Sequence, residues 1–137
     1  MHSTPLAAIN DLLVIEDPQE RLTAVLERSR RRAPLQPEYR IDTHRVLGCQ
    51  SQVWIVPHLT SSHISFVGDS DSPLVRGLVI LICDCFSGDP AHVVQSLKVG
   101  YDPIDTLGLL KTLSLTRQRG LQAVRTRLIQ LVSEDGR

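Results

Sequence analysis

The chain has 137 residues, with 15 Lys plus Arg against 15 Asp plus Glu and 4% aromatics, so neither net charge nor stacking surface favours nucleic acid or an anionic membrane as partner. That length fits a single domain spanning 1–137, with a core over about 6–132, that buries roughly two thirds of its unfolded surface without help from disulfides. Three cysteines, an odd number, suit a reducing compartment with free thiols rather than a disulfide framework.

Residues 1–5 lack the positive region and long apolar stretch of a signal peptide. The most apolar later run, residues 78–82, is far shorter than the roughly 20 residues that cross a bilayer. A soluble, cytoplasmic protein without membrane or nucleic-acid partners is expected. Within residues 6–15, Ile9, Leu12 and Leu13 are spaced for one helical face. Asp17-Pro18-Gln19-Glu20 then reads as a fresh helix start, with Asp17 as cap and Pro18 in the first turn. Leu22, Val25 and Leu26 give this second helix its buried stripe, and Pro34 and Pro37 stop it. Arg28, Arg30, Arg31 and Arg32 crowd its end, where cations suit the helix dipole; they read first as a solvated helix end and second as a docking patch for an acidic partner.

Residues 39–46 are mixed and extended in character, and after a polar turn residues 53–56 form a β-rich run that Pro57 ends or places at an edge. Ser61-Ser62 is a turn, residues 63–67 alternate at Ile64 and Phe66, and the sheet is expected to have about three antiparallel strands. Everything after Asp71 reads helical. Ser72-Pro73 opens a helix that is apolar nearly all round, Asp89-Pro90 and Asp102-Pro103 open two shorter ones, and Thr116 caps a last helix lined by Leu121, Val124, Leu128, Leu131 and Val132. Helices before and after a small antiparallel sheet make the fold class α+β.

The chemistry concentrates in Gly48-Cys49-Gln50-Ser51-Gln52-Val53-Trp54-Ile55-Val56, a cysteine on a polar turn that runs into the strand carrying the only tryptophan. A thiol at such a tip is presented to a partner while the strand fixes its backbone, and thiolates take over divalent sulfur by exchange. A free cysteine elsewhere is more often a small buried hydrophobe. That is the reading for Cys83 and Cys85, roughly 200° apart on the apolar helix and so unable to face one metal together. His58 and His63 flank the hairpin turn without a third ligand in sequence and read as surface imidazoles. His44 is placed to tune the thiol, since a nearby cation favours thiolate. Asp69 and Asp71 stand where a strand hands over to a helix and read as caps and turn formers.

Three segments in order, the cysteine turn, Gly68-Asp69-Ser70-Asp71 with Val75-Arg76-Gly77-Leu78, and Leu107-Gly108-Leu109 with Leu113-Ser114-Leu115-Thr116-Arg117-Gln118-Arg119-Gly120-Leu121, resemble the signatures of the SufE family of sulfur acceptors. The resemblance implies a SufE/NifU-like α+β fold and a protein that is not itself an enzyme. It implies that Cys49 takes persulfide sulfur from a SufS-type cysteine desulfurase, stimulating it, and delivers the sulfur to an iron–sulfur scaffold complex. Pyridoxal phosphate belongs to the desulfurase; no cofactor or metal is implied for this chain. Gly48, Gln50, Ser51, Gln52 and Asp71 are then expected to meet the partner, and Arg117 to stabilise thiolate or persulfide charge. A cation in the first turn of a helix opposes the dipole, which hints at a separate reason for Arg117. Leu115 stands where the family usually has proline and Thr116 where it has serine, differences that bear on partner choice. Because the family fold is similar to that of U-type scaffolds, the alternative is a cluster- or zinc-binding scaffold, which needs about three converging cysteines.

Overall fold

One local device starts four of the helices: an Asp or Ser whose side chain caps the first turn, followed by a proline whose missing N–H costs nothing there. The caps accept from backbone N–H groups of Gln19 (3.4 Å to Asp17), Val75 (3.4 Å to Ser72), His92 (3.1 Å to Asp89) and Ile104 (3.0 Å to Asp102). The computed structural model describes residues 5–134. The expectation about a leader falls partly on residues 1–4, which lie outside them. The helices are α1 (Pro5–Leu13), α2 (Pro18–Arg30), α3 (Pro73–Cys85), α4 (Pro90–Lys98), α5 (Pro103–Thr106) and α6 (Leu115–Glu134), with strands β1 (Val53–Leu59) and β2 (Ile64–Ser70) between α2 and α3. Among the described residues no helix is long and apolar enough to cross a membrane.

The fold is α+β as expected, but the sheet has two strands, not three. Residues 39–46 do not extend far enough to add one. Pro37 opens a short 3-10 turn and Asp42 another, and only a single antiparallel bridge, Arg45 to Trp54, is left. Conversely both strands run longer than their sequence suggested. Pro57 stays inside β1 opposite Phe66. Counting from the Thr60 N–H to His63 carbonyl bond (2.9 Å), that pair falls at a non-hydrogen-bonded position, so the missing N–H costs the ladder nothing.

β1 is buried on both faces. Val53 and Ile55 join the main core with Ile64 and Phe66 of β2, while Trp54 and Val56 form a second cluster with Leu35. The Arg40 guanidinium covers the Trp54 ring at 5.2 Å. On the other side lies α3, buried continuously from Gly77 to Cys83, with α2, α5 and α6 packed around it. The approach of α3 to β2 depends on Gly68: a Cβ there would stand 2.6 Å from Val79 Cγ1 and 2.9 Å from Cys83 Sγ. No larger residue fits without separating helix from sheet.

Asp69 holds the other face. It is 1% exposed and accepts from the Leu35 N–H (2.7 Å), the Ser70 N–H (2.8 Å), Arg40 (2.7 Å) and Arg76 Nε (2.7 Å). Arg76 also donates to the carbonyls of Ser29 (2.9 Å) and Arg32 (2.9 Å), closing the end of α2. The sequence reading of Asp69 as a helix cap is therefore corrected: Ser72 caps α3, and Asp69 ties α2, α3 and the segment before the cysteine turn to β2. The arginine run is also not simply solvated. Arg28 (2.7 Å) and Arg32 both bond Asp84 of α3, and Arg30 pairs with Glu27.

Desolvation pushes the Asp69 carboxyl up, but the Leu35 and Ser70 N–H groups with Arg40 and Arg76 outweigh it and hold it below the usual carboxylate value. Its folded value thus lies below the unfolded one, near 3.9. The stability it contributes is complete above that pH and is lost as pH falls through the folded value. Asp69→Asn is expected to cost about 3 kcal/mol in urea unfolding at neutral pH, the low end for a broken buried pair because Arg40 is 34% exposed. The variant should also lack the part of the acid destabilisation that Asp69 causes; equal stability and an unchanged acid limb would show that the carboxylate does not hold this face.

Candidate functional site

The cysteine turn is fastened at both ends and laid across α6. On entry the Val46 N–H donates to the Val53 carbonyl (2.8 Å). Gly48 then takes φ +94°, a conformation that strains any L side chain, and a Cβ there would meet Ala123 Cβ of α6 at 3.3 Å. On exit the Gln52 N–H donates to Asp71 Oδ1 (2.9 Å) and the Asp71 N–H returns a bond to the Gln52 carbonyl (3.2 Å). Asp71 is thus a clasp on the loop rather than the cap expected from sequence.

Between these fastenings Cys49 is half-buried, and its thiol donates to the Gly120 carbonyl of α6 at 3.3 Å. Beside it opens a cavity of about 310 Å³. The loop contributes Cys49, Gln50 and Ser51, α3 contributes Val75, and the start of α6 contributes Arg117 and Gly120. Burial pushes the Cys49 thiol above its ordinary pKa. At rest the group is therefore a protonated, hydrogen-bonded thiol, a poor nucleophile until it is uncovered or met by positive charge.

Arg117 is the cation at hand. The helix start differs from the sequence reading: α6 begins at Leu115, and Ser114 rather than Thr116 caps it, its Oγ accepting from the Arg117 N–H at 3.2 Å. Leu115 is the first helical residue, so the family's usual proline would lose no hydrogen bond there and leucine gives up only the fixed φ. Arg117 falls in the first turn against the dipole, and its guanidinium makes no hydrogen bond or ion pair within the chain among the described residues. It lines the same cavity as the thiol.

The other candidates lie elsewhere. Cys83 is 1% exposed and packs under Gly68, where burial and the neighbouring Asp84 and Cys85 push its thiol far above the ordinary range. Cys85, partly buried, is pushed up to about 12 by burial, then by Asp84. Neither lines the Cys49 cavity, so a thiol relay finds no support in the packing. His44 Nδ1 bonds the Tyr39 carbonyl at 2.9 Å instead of approaching the cysteine. The strand register pairs His58 with Ser65, so His58 and His63 are not a direct cross-strand pair. Among the described residues no three His, Cys, Asp or Glu side chains are grouped for a metal. Gln50 and Gln52 are exposed and Ser51 is partly covered.

Two features of the site were not recognised from sequence. The Asp71–Gln52 clasp joins residues far apart in the chain and left no local signal. The Gly120 contact did leave one, because a glycine inside an otherwise regular helix is a local weakness that calls for a reason.

The family model for the SufE Fe-S metabolism associated domain matches residues 7–132. An uncharacterized SufE-like protein of Rhizobium etli is 34% identical over 88% of this chain and 83% of its own length. Similar proteins of Rhizobium meliloti (31% identical over 88% of this chain and 88% of its own length) and Synechocystis (33% over 76% and 64%) are also described as uncharacterized and SufE-like. In three dimensions the chain is similar to the solution structure of a hypothetical protein from Thermus thermophilus, with TM-score 0.73 and 20% identity over 95% of this chain and 93% of that one, a likeness of fold.

Two outcomes follow for the loop. Alkylation of Cys49 by iodoacetamide should titrate with a midpoint above that of the urea-unfolded protein, whose thiols sit near 8.5; a midpoint at or below it would mean that the thiol is not shielded. Asp71→Ala, which removes one bond worth about 1 kcal/mol, should speed that alkylation about fivefold at fixed pH without changing the fold seen by circular dichroism. An unchanged rate would show that the clasp does not restrain the loop.

Proposed function

Since the chain belongs to the SufE family of proteins associated with iron–sulfur metabolism, we propose that Cys49 is a sulfur carrier, taking the outer sulfur of a persulfide on a SufS-type cysteine desulfurase and passing it to an iron–sulfur scaffold complex. The observation that carries this reading is the thiol itself: it sits on a fastened loop at the rim of a cavity, with Arg117, unpaired among the described residues, lining the same space. The protein is an accessory in this reaction, and pyridoxal phosphate works in the desulfurase. Work in a reducing cytoplasm suits its free thiols.

The steps follow from the site. Docking loosens the loop over residues 47–52, Cys49 leaves the Gly120 carbonyl, and the thiol gives up its proton near the Arg117 guanidinium, which favours the thiolate. The thiolate sulfur attacks the outer sulfur of the donor persulfide. A new S–S bond forms on Cys49, the donor's S–S bond breaks, and the donor cysteine leaves as a thiolate that takes up a proton. Gly48, Gln50, Ser51 and Gln52 meet the donor because they are the loop, while Asp71 sets how readily the loop is released. Removal of the sulfur from the desulfurase clears it for another turnover, which is the physical content of stimulation.

The packing favours a carrier over a cluster scaffold. Cys49 of the loop packs against α6, Cys83 lies under β2, and neither Cys83 nor Cys85 lines the Cys49 cavity, so the three thiols do not share one centre.

Intact-protein mass spectrometry after mixing the reduced protein with a cysteine desulfurase, pyridoxal phosphate and L-cysteine should show a gain of one sulfur that disappears in Cys49→Ser. An adduct that persists in the variant, or none on the wild type, would overturn the carrier reading. Arg117→Ala should accept sulfur about tenfold more slowly, the scale of one charge-assisted hydrogen bond, and unchanged acceptance would remove Arg117 from the mechanism.

A further inference from the structure

Gly120 stands inside a helix of 20 residues, where glycine weakens the helix relative to alanine. Neither backbone nor packing accounts for it. Its φ is not among the positive values found at Gly48, Gly88, Gly100 and Gly108, so any residue adopts this backbone. A Cβ built there would lie 3.6 Å from Cys49 Sγ and 3.9 Å from Cys49 Cα and Cβ, ordinary contact distances. The thiol form of the protein would therefore accept alanine. What alanine would remove is space, because Gly120 is a wall of the cavity of about 310 Å³ beside the thiol.

We propose that Gly120 is a positioning residue for the carried sulfur: its missing side chain houses the outer sulfur of a Cys49 persulfide, and its carbonyl holds that sulfur's S–H. This inference rests on the carrier reading. When Cys49 attacks the donor, its Sγ exchanges a proton for an outer sulfur about 2.05 Å away, and the donor's cysteine leaves as a thiolate. The hydrogen that Sγ gave to the Gly120 carbonyl at 3.3 Å is then gone, and a protonated outer sulfur, one atom further out, takes over the role of donor. To do so it must lie along the α6 backbone. With glycine that path is open; a methyl 3.6 Å from Sγ closes it and turns the outer sulfur toward the cavity mouth, where small reductants reach it.

The test compares wild type with Gly120→Ala, each reduced and each loaded by desulfurase, pyridoxal phosphate and L-cysteine and then separated from the donor. The reduced variant should melt a few degrees above the reduced wild type, as expected for alanine in a helix. Once loaded, the variant should melt several degrees below its own reduced form, while loading leaves the wild type within about a degree. Dithiothreitol, followed by mass spectrometry, should strip sulfur from the variant about ten times faster. Equal stripping rates and equal melting shifts would overturn the proposal, as would a reduced variant less stable than wild type, which would make glycine a requirement of the thiol form. Absence of sulfur on the wild type would instead overturn the carrier reading beneath it.

Discussion

A carboxylate shut away from water persists in its charged form only if it is surrounded by donors, and Asp69 has them from every side. Leu35 brings the segment after α2, Arg40 brings the stretch that leads to the cysteine turn, and Arg76 brings α3 together with the carbonyls at the end of α2. Remove that carboxylate and two guanidiniums lose their counter-charge while the cover over Trp54 loses its anchor. The two-stranded sheet is too small to be stable by its ladder alone, and this ionic node is what fastens it to helices on one side and to an irregular segment on the other.

The same strand then serves the site. Asp69 and Asp71 are two residues apart yet do unlike things: the first, buried, fixes the scaffold, and the second, exposed, clasps the loop by a pair of hydrogen bonds to Gln52. A deep ionic node is expensive to open, whereas a pair of surface bonds is not. The loop can thus be released while the sheet beneath it stays intact, a division that suits the proposed carrier role of the thiol. Burial pushes the Cys49 pKa up, and Arg117, whose backbone N–H the Ser114 cap holds in a first turn where the helix dipole disfavours a cation, lines the same cavity. Gly120 supplies the floor of the same space.

Much of this was legible in the amino-acid sequence because it depends on neighbours in the chain. Cap-plus-proline pairs set four helix starts, the apolar run in α3 marked the central helix, and the cysteine turn followed by β-branched residues located β1 and the candidate thiol. The family motifs assigned the chain to its family for the same reason, since they are contiguous strings. Where local rules compete, sequence chose wrongly: Ser114 and Thr116 are both good caps, and it is Ser114 whose side chain takes the role. Residues 39–46 had extended character, but the turns at Pro37 and Asp42 left them one bridge instead of a third strand.

The sequence alone thus determined the class of fold and the family, and it singled out Cys49 as the candidate site, all carried by short-range pattern. Tertiary structure alone decided what surrounds the thiol. Cys49 meets Gly120 across a separation of 71 residues, Asp71 reaches back to Gln52, and Asp69 gathers arginines from two other segments. Each such contact depends on the relative placement of elements that share no sequence neighbourhood. Burial, and with it the resting protonation of the cysteine, is a property of that placement rather than of the residue.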